Sequence, residues 1–141
     1  MAKNTQLTNA VVNAQADALA RQLDNGYLRI YSGTQPATAD TALSGNTLLA
    51  ELRFNATSAP AASAGALTFN AITADSSADA TGTATFFRTY QSNGTSVVLD
   101  GTVGATGSTS NLELNSASIV SGAQVSVTAF THTVAKATSG S

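Results

Sequence analysis

The pattern of apolar and polar positions changes once along this chain, at Gly26. Before Gly26, apolar residues recur at the spacing of one face of an α-helix. These residues are Val12, Ala16, Leu19 and Leu23. Several alanines in the same stretch add helix propensity. The pattern therefore predicts one helix within the first two dozen residues.

Both ends of this helix have recognisable signals. Thr5 or Thr8 can cap the start, and Asp24-Asn25-Gly26 supplies a C-terminal stop. We expect the helix to dock on the core, because an amphipathic stripe usually covers apolar surface. The alternative is an N-terminal arm that becomes helical only on a neighbouring subunit. Residues 1–25 are then a helix or arm, and residues 26–141 are the β domain of a single globular unit.

After Gly26 the apolar residues alternate with a period of two, which is typical of β-strands. Seven strands are predicted, at residues 27–32, 48–55, 67–71, 82–91, 96–103, 112–120 and 124–134. A hairpin turn of the Asn-Gly type is predicted at Asn93-Gly94. The predicted fold class is all-β, an antiparallel β-sandwich or jelly-roll of about seven strands with one N-terminal helix.

The composition predicts a thin core. The chain has five Phe, three Tyr, one Met and no Trp, and more than half of its residues are Ala, Thr, Ser or Gly. Such residues bury little apolar area, and burial stabilises by roughly 25 cal/mol per Å². We therefore expect stability to be completed at an interface, as in a homo-oligomer.

Charge and cysteine usage narrow the function classes. Only 10% of residues are charged, the net charge is −2, and the six basic residues are scattered singly. This argues against nucleic acid as a partner, which requires a clustered basic surface. No apolar stretch approaches the roughly 18 residues of a membrane span, and there is no cysteine. Because the N-terminus lacks a signal-peptide apolar region, we expect a bacterial-type cytoplasm, or a particle assembled there.

The candidates for chemistry are few. His132, the single histidine, shares a predicted strand face with Phe130 and Val134, and no local motif supplies a nucleophile or an orienting group. A structural or interface histidine is favoured, with chain-distant partners left open. The glycines of residues 101–107 are not followed by the Gly-Lys-Ser/Thr of a phosphate loop. They predict a flexible loop between strands.

The carboxylates form no recognisable site. Asp75 and Asp79 lie four apart in a loop at residues 73–81, without the spacing of a dedicated calcium loop. We favour a solvated loop and leave a bound metal open. Glu51 and Glu113 are expected on solvent or interface faces of strands. No catalytic residue, metal ligand or cofactor is therefore predicted, and the chain is not expected to be an enzyme.

Arg88 is the one awkward charge, because strict alternation places it beside Phe86 and Tyr90 on a strand. A buried guanidinium needs a carboxylate or several carbonyls. The strand then contains a bulge, or Arg88 pairs with an acid such as Glu51 or Asp100. We favour a third interpretation, an arginine at a sheet edge with its charged end in water.

Two segments carry a resemblance to a known group of proteins. Residues 27–36 have the sequence YLRIYSGTQP, and residues 47–52 have the sequence TLLAEL after a loop of small residues. This pattern resembles small structural proteins encoded among the virion genes of tailed bacteriophages and prophages. Residues 121–131 look like the last strand of that group, so the likeness extends over roughly residues 26–134.

The resemblance implies a virion component of the head or the head–tail region, with no enzymatic residues to carry over. We expect a capsid cement or decoration protein that binds neighbouring major capsid subunits through strand edges, the loop at 33–46 and the N-terminal segment. If that segment is a binding arm, removing residues 1–24 should weaken binding more than folding. The alternatives are a tail, collar or head-fibre component, and a surface carbohydrate-binding module that would use Tyr27, Tyr31 or Tyr90.

Overall fold

The structure is a computed structural model that describes residues 4–136. The chain forms one helix and nine strands there: α1 (Asn9–Leu23), β1 (Tyr27–Tyr31), β2 (Leu48–Arg53), β3 (Ala66–Thr68), β4 (Gly82–Thr83), β5 (Phe86–Tyr90), β6 (Val97–Ala105), β7 (Leu112–Leu114), β8 (Ser118–Ile119) and β9 (Val127–Thr133). Seven strands form one sheet in the order β2-β1-β5-β6-β7-β9-β3, and β4 pairs with β8 separately. The fold is therefore mostly β with one helix, as predicted.

The helix begins and ends where the sequence indicates. The hydroxyl of Thr8 accepts a hydrogen bond from the Val11 amide at 3.2 Å, which makes Thr8 the N-cap. The helix ends at Leu23, and Asn25 follows in the left-handed region with φ 56°. Its fully buried residues are Val12, Ala16, Ala20 and Leu23. The helix is docked on the core, with Ala20 rather than Leu19 completing the buried face.

The main sheet is mixed, which corrects the expectation of an all-antiparallel arrangement. β6 and β7 run parallel, with Val103 opposite Leu112, whereas the other neighbours are antiparallel. The connection is short because two left-handed residues reverse the chain, Gly107 at φ 87° and Thr109 at φ 63°. The Glu113 carboxylate accepts hydrogen bonds from both of their amides, at 2.9 and 3.2 Å. This carboxylate therefore holds a loop in place.

Two predicted strands are each divided in two. Residues 82–91 form β4 and β5 because the chain changes partners between them. The Ala84 amide donates to the Ala117 carbonyl at 2.8 Å, and the Thr85 amide donates to the Tyr31 carbonyl at 3.0 Å. Residues 112–120 likewise divide into β7 in the main sheet and β8 in the small one.

The hairpin at Asn93-Gly94 joins β5 to β6 as predicted, although the turn is wider than two residues. Gly94 has φ 74°, and the Asn93 side chain accepts hydrogen bonds from the amides of Thr95 and Ser96, both at 2.9 Å. The asparagine therefore closes the turn with its side chain.

The expectation of a flexible loop at residues 101–107 is wrong for most of that segment, because β6 continues through Ala105. Gly101 lies opposite Phe87 on β5, and a Cβ atom at Gly101 would lie 2.6 Å from that ring. The glycine is present so that an aromatic ring can pack against the backbone of the neighbouring strand.

We expect Gly101→Ala to lower the free energy of unfolding by about 1–3 kcal/mol, because the added methyl group overpacks the core. Urea denaturation followed by circular dichroism measures this. Adding Phe87→Leu to the alanine variant removes the clashing ring atoms. The double variant should therefore lose less than the sum of the two single changes, and simple additivity would show that the ring is not the cause.

The sheet curls so that its two ends approach each other. At the end of β2, the Arg53 amide donates to the Thr73 carbonyl at 3.2 Å, and the Arg53 carbonyl accepts from the Thr73 amide at 2.8 Å; Thr73 lies in the segment that follows β3. The ring of Phe54 lies 5.6 Å from that of Phe69 and 6.4 Å from that of Phe130, between centroids. A cluster of phenylalanines therefore fills the space inside the curl.

Candidate functional site

The face of the sheet that points away from the core carries a row of charges across four strands. Arg29 on β1 lies opposite Glu51 on β2 and opposite Arg88 on β5. Arg88 in turn lies opposite Asp100 on β6. The order across the sheet is thus Glu51, Arg29, Arg88, Asp100, with a carboxylate at each end. We call these four residues the charged row.

The Arg88–Asp100 pair of the charged row is buried. Arg88 donates to both carboxylate oxygens of Asp100, from Nε at 2.7 Å and from Nη2 at 2.8 Å. The two side chains are only 3% and 5% exposed. The hydrogen bonds with Asp100 raise the pKa of Arg88, so the guanidinium keeps its charge despite its burial.

The position of Arg88 corrects the edge interpretation and supports the pairing with Asp100. β5 lies between β1 and β6, near the middle of the sheet. The loop at residues 33–46 covers Arg88, and the Thr41 carbonyl accepts a hydrogen bond from Nη2 at 2.8 Å. The sequence could not show that this loop folds back over the strand.

The Arg29–Glu51 pair of the charged row is more exposed. Arg29 contacts Glu51 at 2.7 Å, and these side chains are 23% and 38% exposed. The Arg29 guanidinium also lies 4.4 Å from the ring centre of Tyr90, and that of Arg53 lies 4.3 Å from the ring centre of Tyr27. Cations and aromatic rings therefore alternate on this part of the face.

The loop at residues 33–46 is held in one conformation by side chains. Asn46 donates from Nδ2 to the carbonyls of Ser32 at 3.1 Å and Thr34 at 3.0 Å. The Thr85 hydroxyl donates to the Gly33 carbonyl at 2.6 Å, and Arg88 binds the loop from below. The outward surface of the loop consists of small residues, and Asp40 is its one charged residue.

The tyrosines proposed as sugar-stacking residues are mostly inaccessible. The hydroxyls of Tyr31 and Tyr90 lie 3.1 Å apart, and both residues are buried. Burial, together with the Tyr90 hydroxyl, raises the pKa of Tyr31. Tyr27 alone keeps a partly exposed ring, and Arg53 stacks on it. This face lacks the open aromatic platform that the carbohydrate-binding alternative needs.

Loop 73–81 bonds to the edge of β2 through the carboxylate of Asp75 and through the backbone of Asp79. The Asp75 carboxylate accepts hydrogen bonds from the amides of Glu51 and Ser77, both at 2.9 Å. The Asp79 amide donates to the Leu49 carbonyl at 2.8 Å. This loop therefore covers the free edge of β2. No group of three His, Asp or Glu side chains suited to a metal ion occurs among residues 4–136.

His132 lies on β9 opposite Leu67 and is half-buried. It lines a cavity of about 190 Å³ together with Phe87, Leu99 and Phe130. Within the described chain it forms no hydrogen bond with a carboxylate or a hydroxyl. Burial lowers the pKa of His132 below its ordinary value of 6.5.

This pKa shift gives a pH-dependent contribution to stability. Because the folded protein binds a proton at His132 less readily than the unfolded chain, the contribution is present above pH 6.5 and is lost as the pH falls below it. We expect His132→Gln to flatten the decline in unfolding free energy between about pH 7 and pH 5. Urea midpoints across this range test it, and identical slopes for the two proteins would contradict it.

Comparison with known proteins places the chain in no family. No protein-family model matches it, and neither a curated protein nor a solved structure is significantly similar to it. The resemblance of residues 27–36 and 47–52 to phage virion proteins therefore stays an expectation from the sequence. In the part of the chain that the structure covers, α1 is too short and too polar to cross a membrane.

Proposed function

We propose that this chain is a non-enzymatic structural protein of a bacteriophage virion, and that it acts as a capsid cement or decoration protein. In this role it binds neighbouring capsid subunits and stabilises the head. The sequence support is the YLRIYSGTQP and TLLAEL pattern, and the sparse charge is compatible with a surface covered by protein partners.

The structural observation that supports the proposal most directly is the loop at residues 33–46, which is attached to the sheet by side-chain hydrogen bonds. The resembling segments contain β1 and most of β2, and residues 33–36 of the first segment begin the loop that connects these strands over the charged row. Its backbone is fixed by Asn46, Thr85 and Arg88 before any partner arrives. A preorganised surface loses less conformational entropy on binding. A loop of small residues, with one charge and a fixed backbone, therefore suits a protein that binds many identical capsid subunits.

The finer features of the fold belong to the same proposal. We propose that the curled sheet works as a β-sandwich, because its two ends face each other across Phe54, Phe69 and Phe130. The jelly-roll assignment stays a prediction. A homo-oligomer also stays a prediction, supported by the high share of Ala, Thr, Ser and Gly in the sequence, and sedimentation equilibrium of the purified protein tests it.

Immunogold electron microscopy of intact particles tests the function. The particles are those of the phage or induced prophage that encodes the chain, labelled with an antibody against the purified protein. Label spread over the head supports decoration. Label at one vertex or on the tail would instead assign the protein to the collar, tail or head fibre. Absence of the chain from purified, dissociated particles in mass spectrometry would overturn a virion role altogether.

A further inference from the structure

The wall of the curled sheet has an opening beside β9. The chain that runs on from β3 is paired with β9 at Thr68 opposite Thr131, and it pairs again at Asp75, opposite Val125 just before β9. Between these two pairs the first segment has six residues and the second has five. An extra residue on one side pushes two paired segments apart, as in a β-bulge. We call the cavity between the two segments the side pocket.

Both walls of the side pocket are held in place by hydrogen bonds on their far sides. On one wall, the Asn70 amide donates to the Ser58 carbonyl at 2.8 Å, and Thr73 exchanges two backbone hydrogen bonds with Arg53. On the other wall, β9 pairs with β7. The pocket therefore exists before any ligand arrives, and a preformed site loses less conformational entropy on binding.

The side pocket is compact and closed at both ends. Its volume is about 300 Å³, which lies at the lower end of the range for small-molecule sites, roughly 300–1,000 Å³. The backbone pairs Thr68–Thr131 and Asp75–Val125 close its ends, so a strand of another chain cannot run along it. An apolar cavity of about 150 Å³ holds benzene, so the side pocket has room for two fused rings.

The side pocket has an apolar floor and a polar rim. The floor consists of side chains that belong to the main core or pack against it: Phe69, Ile72, Val127 and Phe130. Phe69 and Phe130 stack there with their ring centres 4.6 Å apart. Exposed threonine, alanine and asparagine residues form the rim, and no lining residue carries a charge. A charged ligand would lose hydration without gaining an ionic partner, whereas an uncharged ring system would not.

We propose that the side pocket binds a small, uncharged, apolar molecule of about two fused rings. Its rings contact the apolar floor, and the burial of apolar surface supplies most of the affinity. One polar group of the ligand can bond to the hydroxyls or backbone groups of the rim. The inference goes beyond the assembly role and does not depend on it, because the loop at residues 33–46 contributes no lining residue.

Indole is a suitable probe, because it is uncharged, has two fused rings and carries one N–H donor. In an NMR titration of the purified protein it should shift the amides of Ile72 and Ala129 and the methyl signals of Val127 saturably, with a Kd on the order of 1 mM. Indole-3-carboxylate adds a charge to the same rings and should bind at least about tenfold more weakly. No saturable shift at about 10 mM indole, or equal binding of the two probes, would overturn the proposal.

Val127→Phe tests where the ligand lies. The larger side chain fills the pocket, so the Kd for indole should rise at least about tenfold. Val97→Phe is the matched control, because Val97 is 36% exposed on β6 and does not line the pocket. Its Kd should stay within about twofold of the original value. Unchanged affinity in folded Val127→Phe would place indole elsewhere and overturn the proposal. If circular dichroism shows that this variant does not fold, Ala129→Phe on the exposed rim makes the same test.

The same spectra distinguish a free molecule from a side chain of a second copy of this protein. Without indole, the signals of Ile72 and Val127 should not move between about 0.05 and 1 mM protein. Shifts of these signals with protein concentration would show that another copy enters the pocket, and they would overturn the assignment to a free small molecule.

Discussion

Asp100→Ala is expected to lower the free energy of unfolding by about 3–5 kcal/mol, because it leaves a buried guanidinium without its counter-charge. Arg88 is 3% exposed, and both of its strong side-chain hydrogen bonds go to this carboxylate. The remaining short contact, to the Thr41 carbonyl, does not neutralise the charge. Urea denaturation at neutral pH measures the loss, and a change below about 1 kcal/mol would contradict the assigned burial.

The Arg29–Glu51 pair of the charged row provides a matched control for Asp100→Ala. Glu51→Ala removes a carboxylate from the same face of the same sheet, and its partner Arg29 is also an arginine on the adjacent strand. These side chains are 23% and 38% exposed, so water replaces much of the lost interaction. We expect a loss of at most about 1 kcal/mol. The difference between the two variants isolates the effect of burial.

Asp100→Ala should also loosen the loop at residues 33–46. Asp100 fixes the guanidinium that donates to the Thr41 carbonyl, so we expect its removal to weaken this attachment of the loop. Limited proteolysis should cut the loop faster in Asp100→Ala than in Glu51→Ala at a denaturant concentration where both proteins are folded. If the proposed docking role is right, particle binding should weaken in parallel.

The charged row also illustrates how much of this molecule the sequence could predict. Local patterns gave the helix with its Thr8 cap, the Asn93-Gly94 hairpin and most of the strands, because each depends on near neighbours in the chain. The burial of Arg88 depends on a loop some fifty residues away in sequence, whose Thr41 carbonyl lies against it at 2.8 Å. Alternation placed Arg88 beside Phe86 and Tyr90, but it could not identify the central position of β5 in the sheet.

The errors have similar physical causes. The glycines of residues 101–105 suggested flexibility, whereas Gly101 serves the packing of Phe87 from another strand. Asp75 looked like a solvated loop residue, but it caps the Glu51 amide at the edge of β2. In each case the deciding contact is distant in sequence and has no signal in the local pattern.

Leu23→Ala is expected to cost about 2–5 kcal/mol of unfolding free energy, the range for removing a fully buried leucine. Leu23 belongs to the main core cluster. Val11 on the same helix is 43% exposed, so Val11→Ala is the control and should change stability by less than about 0.5 kcal/mol. Similar losses in both variants would mean that the helix is not docked by its buried face.

Removing residues 1–24 should therefore prevent stable folding of the rest of the chain. The helix supplies four buried apolar residues, and its side chains bond the loop before β3. Asn13 accepts from the Gly65 amide and Asp17 from the Ala62 amide, both at 2.8 Å. The expectation that the segment acts mainly as a binding arm predicts a folded truncated protein with weak particle binding. Loss of the cooperative thermal transition in the truncated protein, followed by circular dichroism, would show that α1 is part of the fold, because the core cannot close without it.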